Sequence, residues 1–414
     1  MDASLSAKRT IMTPGPVEVD PRVLRAMSAP ILGQFDPAFT EMMNQTMDQL
    51  RKLFQTTNEW AFPIDGTSRS GIEAVLASLI EPGDRVLVPV YGRFGHLLVE
   101  ICERYRADVW KIECEWGTVF NEEEVIVQMH AIQPKIVACV HGETSTGCMQ
   151  PLAQIGKACR EQDCLFVVDA VATIGGTEVF VDEWCIDAAI GGTQKCLSIP
   201  AGMAPITYNK RVEAILGRRK KVEHGIATAD DLNTPPQGEP IASNYFDLAM
   251  LQDYWSPRRL NHHTEATSML YALHEGLTLL LEEGLPHRFA RHAYHEKALI
   301  AGLTAMGLEL FVTHEHKLPM VTCVCVPEGI EADHVRAFML HHFGVEIASS
   351  FGPLHGKIWR IGTMGYSCRK ENILFVLAAL EAALIYNGAT VETGKAVQAA
   401  LVYYEQKKNN CSTL

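Results

Sequence analysis

Between Ala61 and Tyr208 the chain alternates short, wholly apolar runs with stretches of helical periodicity, and few architectures accept that pattern. The runs are "AFPI" (Ala61–Ile64), "RVLVPV" (Arg85–Val90), "KIVACV" (Lys135–Val140), "CLFVVDA" (Cys164–Ala170) and "IDAAIGG" (Ile186–Gly192). A strand without a polar side must be covered on both faces, which helices do in a parallel sheet. After the first run, Ile72, Val75, Leu76 and Leu79 recur at helical spacing, and "EPGD" (Glu81–Asp84) turns the chain into the next strand. The expected class is α/β, a mostly parallel sheet sandwiched by helices.

From Arg211 to about Leu260 the pattern is irregular, and "NTPPQGEP" (Asn233–Pro240) is rich in turn formers. So long an excursion reads as a functional or interface segment. Helical periodicity returns over Thr264–Glu283. After "EEGLP" (Glu282–Pro286) come a helix, a strand near Met320–Val326, a helix over Ala332–His342, strands at Val345–Ala348 and Ile358–Ile361, and a last helix. The expected organisation is an N-terminal arm (1–20), a large domain (21–285) and a smaller C-terminal α+β domain (286–414).

With 414 residues and 47% hydrophobic composition, the chain has enough apolar material for two domains. Its formal charge of -13 has no basic counterweight beyond "GRRKK" (Gly217–Lys221), which argues against nucleic acid as a partner. The twelve cysteines are scattered without a Cys-x-x-Cys pair. "TCVCV" (Thr322–Val326) alternates like a strand, so free thiols and a reducing, cytoplasmic setting are expected. The first ten residues carry no apolar signal core, and no run approaches the ~18 apolar residues of a membrane span.

Ligands of open α/β sheets collect beyond the carboxyl ends of the strands. After the first run, "GTSRSG" (Gly66–Gly71) leads into a helix, so backbone N–H groups, Thr67, Ser68 and Arg69 form a candidate phosphate cradle. The Gly-Lys-Ser/Thr ending of a P-loop is missing. "HGETSTG" (His141–Gly147) follows the third run. Asp169 closes the fourth, where a buried carboxylate must find a cation or donors. Past the fifth lies Lys195, a lone ammonium that desolvation prepares as a neutral amine for Schiff-base chemistry. Cradle, acid and lysine together match the needs of pyridoxal 5'-phosphate: phosphate anchor, partner for the ring nitrogen, and covalent attachment.

The chain resembles the class V, fold type I, pyridoxal phosphate aminotransferases, the group with alanine:glyoxylate and serine:pyruvate aminotransferases. The resemblance rests on "TPGPVEVDPRVL", "GTSRSGIEA", "HGETSTG", "VVDAVATIGG", "GGTQKCLSIPAGMA", "NHHTEATSMLYAL" and "WRIGTMG", in that order. It implies that Lys195 carries the cofactor, Asp169 meets the pyridinium nitrogen, and Thr67, Ser68, Arg69 and Gln194 bind the phosphate. Thr264 would reach the phosphate of the other subunit in a homodimer with shared sites. Phe94 takes the position of a stacking aromatic, usually Trp. Ser145 would contact the ring, and Arg360 would hold the substrate α-carboxylate by its planar fork.

Two positions depart from the alanine:glyoxylate pattern. Where those enzymes read roughly "GHRSP" and "YHHT", this chain has "GQFDP" and "NHHT", placing the carboxamides of Gln34 and Asn261 at the substrate end. Side-chain amides suit a donor bearing a ureido group, because matched polar pairs discriminate strongly against analogues that lack one. The pattern resembles the (S)-ureidoglycine:glyoxylate branch, which implies transamination to glyoxylate, giving glycine, in purine breakdown. The alternatives are an alanine:glyoxylate or serine:pyruvate enzyme, a cysteine desulfurase using Cys368 in "GYSCRK", and a regulatory protein that kept the fold. No metal site is expected: His262, His263, His341 and His342 lack a carboxylate cluster at ligand spacing in the sequence and read as packing or interface residues.

Overall fold

The computed structural model describes residues 9–233 and 236–411. Residues 1–8 of the expected arm, and Thr234 and Pro235 of the turn-rich excursion, lie outside the described residues.

Seven strands form the main sheet: β1 (Trp60–Asp65), β2 (Arg85–Val90), β3 (Asp108–Glu113), β4 (Ile136–Val140), β5 (Leu165–Asp169), β6 (Ala188–Ile190) and β7 (Met203–Tyr208). Their spatial order is β1-β7-β6-β5-β4-β2-β3. Every pairing is parallel except the two made by β7, which runs antiparallel to both β1 and β6. The five apolar runs thus become the interior of a mostly parallel sheet, and β4, β5, β6 and β7 are buried at every position. Edge strand β3 hides from an apolar-run reading because Asp108, Lys111 and Glu113 face water, which also protects the edge from pairing.

Six strands point the same way, so the carboxyl ends of β1, β2, β4, β5 and β6 share one edge of the sheet with the loop that precedes β7. Helix Ser68–Leu79 follows β1 and helix Arg93–Arg104 follows β2, each starting at that edge. No helix joins β5 to β6. The connection from 170 to 187 is a chain of turns, so the spacing of Asp169 and Lys195 does not reflect a βαβ unit.

A second hydrophobic core gathers Leu299, Leu303, Val335, Trp359, Ile361 and Leu377 with Met12 from the N-terminus. Its sheet is β8 (Val321–Cys325), β9 (Ala348–Ser349) and β10 (Ile358–Gly362), antiparallel in the order β8-β10-β9. The N-terminal strand Thr10–Ile11 pairs in parallel with Val345–Glu346. The start of the chain is therefore built into the C-terminal unit. The helix expected over Ala332–His342 is α-helical to Phe338 and widens to a π turn at Met339–Phe343, where His342 stacks on Phe338 at 4.2 Å. No helix among the described residues is long and apolar enough to cross a membrane.

Candidate active site

Lys195 rides on the loop between β6 and β7, the one place where adjacent strands of the sheet reverse direction in sequence. The loop is closed on itself. Thr193 Oγ1 donates to the carbonyls of Pro200 (2.8 Å) and Met203 (3.0 Å), Ile199 N to Thr193 O, and Ser198 N to Lys195 O. Ser198 adopts φ +58°, and its hydroxyl accepts from Tyr366 N at 2.6 Å, tying the loop to the C-terminal unit. Arg288 adds a second tie by donating to Gly175 O and Cys196 O. From this rigid base the Lys195 Nζ donates to Pro14 O. Burial, reinforced by the positive charge of Arg360, lowers its pKa to about 8.

Asp169 ends β5, buried, with a hydrogen bond from Val171 N at 2.9 Å. Burial raises its carboxyl to about 6, since Lys195 offsets the desolvation only in part. His141 stands beside it at the end of β4. Its Nδ1 lies 3.0 Å from Thr173 Oγ1, and burial drops its pKa to about 3, so it is a neutral ring at working pH.

The residue that most organises this edge was not singled out in the sequence. Glu143, fully buried, accepts from the Ser145 hydroxyl (2.6 Å) and Ser145 N (3.0 Å) with Oε1, and from Phe94 N (2.8 Å) with Oε2. One carboxylate thus fixes the loop after β4 to the first turn of the helix after β2. Gly92 precedes that helix because a Cβ there would overlap the Glu143 side chain. The signal was present in "HGETSTG", where Glu143 is the only acid. A tight polar loop does not by itself reveal which side chain turns inward.

At the end of β1, Gly66 takes φ +125° and Thr67 caps the following helix without a side-chain hydrogen bond, leaving the first N–H groups uncapped. Ser68 Oγ donates to Gln194 Oε1 at 2.9 Å, joining this turn to the lysine loop. Thr67 and Arg69 are exposed beside them. Arg360, in β10, donates from Nε to Ser349 O (2.8 Å) and from Nη1 to Thr144 O (3.0 Å), and lies 4.5 Å over the Phe351 ring. Burial lowers its pKa to about 10. Arg93 bridges Phe351 (4.1 Å) and Phe94 (5.2 Å).

Lys195, Asp169, Ser145, Phe94, Ser68, Gln194 and Arg360 thus converge. Gln34, Asn261 and Thr264 form a separate group. Gln34 Nε2 donates to Asn261 Oδ1 at 3.1 Å, while Asn261 and Thr264 are exposed beside Ile31 and Phe35, themselves 64% and 79% exposed. The expectation about His262 and His263 needs correction. Folding brings Asp65, from the carboxyl end of β1, and Glu265 to His263, with all three donor groups within 4.8 Å of one another. Sequence distance concealed this carboxylate pair. Cys368 is buried, with its thiol pushed up to about 12 by burial, the opposite of a mobile nucleophile.

The family model "Aminotransferase class-V" matches residues 31–357. The chain belongs to the class-V aminotransferases. It is 68% identical to the (S)-ureidoglycine–glyoxylate transaminase of Bacillus subtilis (strain 168), across 96% of this chain and 95% of that protein. It is 35% identical to the alanine–glyoxylate aminotransferase of Drosophila melanogaster, across 91% and 92%. The crystal structure of ureidoglycine–glyoxylate aminotransferase from Bacillus subtilis superposes with a TM-score of 0.91 at 66% identity, covering 97% and 99% of the two chains.

This class-V aminotransferase is an amino-group-transferring enzyme whose cofactor is pyridoxal 5'-phosphate. The residues present fit that group. Asp169 is a buried carboxylate short of a cationic partner, the helix after Thr67 offers uncapped N–H groups, and Lys195 is an amine of lowered basicity between them.

Proposed function

We propose that the enzyme transfers the amino group of (S)-ureidoglycine to glyoxylate, forming glycine, as a step of purine breakdown. The observation that carries this reading is the hydrogen-bonded pair Gln34–Asn261. Pairing uses one donor and one acceptor, and leaves the Gln34 carbonyl without a partner and the Asn261 NH₂ unspent. A free carbonyl beside a free NH₂ complements a ureido group, which offers the reverse set. The 68% identity to the Bacillus subtilis enzyme supports the same donor.

In this reading Lys195 carries the cofactor, Asp169 pairs with its ring nitrogen, Phe94 stacks on the ring and Ser145 contacts its edge. Thr67, Ser68, Arg69 and Gln194 hold the phosphate. Bound there, the cofactor supplies an electron sink for the negative charge that develops at the donor's α-carbon. The chain's residues do the rest. Arg360 clamps the α-carboxylate of donor and acceptor alike. Lys195 Nζ takes the α-proton of ureidoglycine and delivers one to the carbon of glyoxylate that becomes the glycine α-carbon. A pKa lowered to about 8 suits both directions near neutral pH. In this reading the large domain (21–285) and the small domain (286–414) meet at this cleft, a division supported by the separate hydrophobic core of the C-terminal unit.

The enzyme works as a cytoplasmic homodimer in this reading. Gln34 bonds Asn261, and Asn261 and Thr264 are exposed on a face with Ile31 and Phe35, which suits insertion into the site of a second copy. The deciding experiment measures kcat/KM with glyoxylate and either (S)-ureidoglycine or alanine. A preference for ureidoglycine on the order of 100-fold or more is expected, and it should shrink in the Gln34→His, Asn261→Tyr double variant. Alanine as the better donor of the unaltered enzyme overturns the proposal in favour of an alanine:glyoxylate aminotransferase.

A further inference from the structure

Tyr254 and Asp65 meet the loop Asn261–Ala266 in a buried polar cluster that the transamination chemistry does not use. The Asp65 and Glu265 side chains retain 11% and 1% of their exposure, and no arginine or lysine pairs with either. Asp65 Oδ1 and His263 Nε2 are sealed from solvent without a hydrogen-bond partner, and the buried Glu265 carboxyl meets only another acid, Asp65, and the Tyr254 hydroxyl. Orphaned polar atoms beside two packed carboxyl groups are an exception to the rule that buried polar groups are satisfied.

The histidine pair shows which way the charge deficit points. His262 Nε2 lies 3.4 Å from the Asn244 carbonyl, which can only accept, so this nitrogen carries the proton. With that proton on Nε2, Nδ1 is left as the acceptor of the His262 ring. His263 Nδ1, at 2.8 Å, must then donate to it. His263 Nε2 faces Asp65 Oδ2 at 3.3 Å and Glu265 Oε2 at 3.7 Å. Three lone-pair donors facing one another need a positive charge between them. A ring N–H spent on a neighbour, which fixes the tautomer, is also the usual support of a metal-ligating histidine.

We propose that Asp65, His263 and Glu265 form a binding site for a divalent transition cation, with zinc as the best match. Tetrahedral coordination with bonds of about 2.0–2.1 Å puts neighbouring donors about 3.3–3.4 Å apart, close to the observed spacings of 3.3 and 3.7 Å. The imidazole disfavours magnesium and calcium, which take oxygen donors, and the absence of a thiol from the group disfavours soft cations. Tyr254 packs its ring 4.9 Å from that of His263 and turns its hydroxyl toward Glu265. Asp65 Oδ2 also accepts from Ala266 N at 3.0 Å, so the ion would lock the end of β1 to the loop carrying Asn261 and Thr264. The site stands on its own ligands and does not depend on which amine the enzyme uses.

The test uses the full-length holoenzyme, stripped by a chelator and titrated with Zn²⁺ by calorimetry and with Co²⁺ by absorption. One equivalent per chain is expected, and the Co²⁺ complex should show tetrahedral visible bands without a thiolate charge-transfer band. His263→Ala and the nearly isosteric Glu265→Gln should weaken binding by at least about 100-fold, beyond the 10- to 100-fold typical of outer-shell changes. Zn²⁺ should raise the melting temperature of the unaltered protein and not of Glu265→Gln. If His263→Ala does not fold, Glu265→Gln decides alone. Absence of a stoichiometric equivalent, a thiolate-type spectrum, or equal binding by Glu265→Gln overturns the proposal.

Discussion

The Glu143 carboxylate holds the Ser145 hydroxyl at 2.6 Å, and its second oxygen reaches across to Phe94 N at 2.8 Å. Two residues proposed to touch the cofactor ring thus depend on an acid that touches neither substrate nor phosphate. Glu143→Gln puts an NH₂ against donors, breaking a charge-assisted bond worth about 1.5–3 kcal/mol. The expected result is a roughly 10- to 100-fold loss of kcat with a shifted cofactor absorbance and a melting temperature lowered by a few degrees. Unaltered kinetics and spectrum refute the positioning role.

Lys195 is predicted to react as an amine of pKa about 8. Cofactor uptake by the stripped protein requires the deprotonated form, so the rate should climb about tenfold per pH unit below 8 and level off above it. A normal lysine would keep climbing to about 10.4. Lys195→Ala should lose both the yellow colour and turnover.

Asp169 has the opposite linkage. Its folded pKa is raised from 3.8 to about 6, so the stripped protein loses stability as pH rises through 6 and keeps it below 3.8. Asp169→Asn should stabilise the stripped protein above pH 6, by no more than about 3 kcal/mol, and weaken its hold on the cofactor. Melting curves with and without cofactor check both signs.

Gly15 takes φ +106°, and a Cβ there would stand 2.5 Å from Lys195 Cδ. Gly15→Ala should therefore cut kcat at least about tenfold while the far-ultraviolet dichroism is retained, since the added methyl meets only the end of the lysine and the strained turn. Full activity would show that the segment moves aside.

Arg288→Met should destabilise by about 2–4 kcal/mol, because it strands the carbonyls of Gly175 and Cys196, while the Glu283 carboxylate keeps its pairing with Arg291. Thermal unfolding measures it.

The sheet was legible because β1, β2, β4, β5 and β6 are buried on both faces and their sequences show it. β3 was not, since a charged edge strand reads as surface. β7 is preceded by the lysine loop, not by a helix that would announce it. Lys195 and Asp169 could be read from their places at strand ends, and the structure puts both at the same edge. Glu143 and the Asp65–His263–Glu265 group escaped notice because each depends on which side chains fold inward from segments far apart in sequence. The pairing of Gln34 with Asn261 was equally invisible, although both were marked as unusual carboxamides.

The strand Thr10–Ile11 pairs with Val345–Glu346, and Pro14, three residues further on, caps the Lys195 amine. During synthesis the first dozen residues leave the ribosome long before their docking surface exists. The lysine therefore stays uncovered until most of the chain has been made, and catalytic competence arrives late in biogenesis, with the closing of a loop that spans most of the molecule. A bulky tag fused close to Thr10 would interfere with that last closure more than one placed at the other terminus.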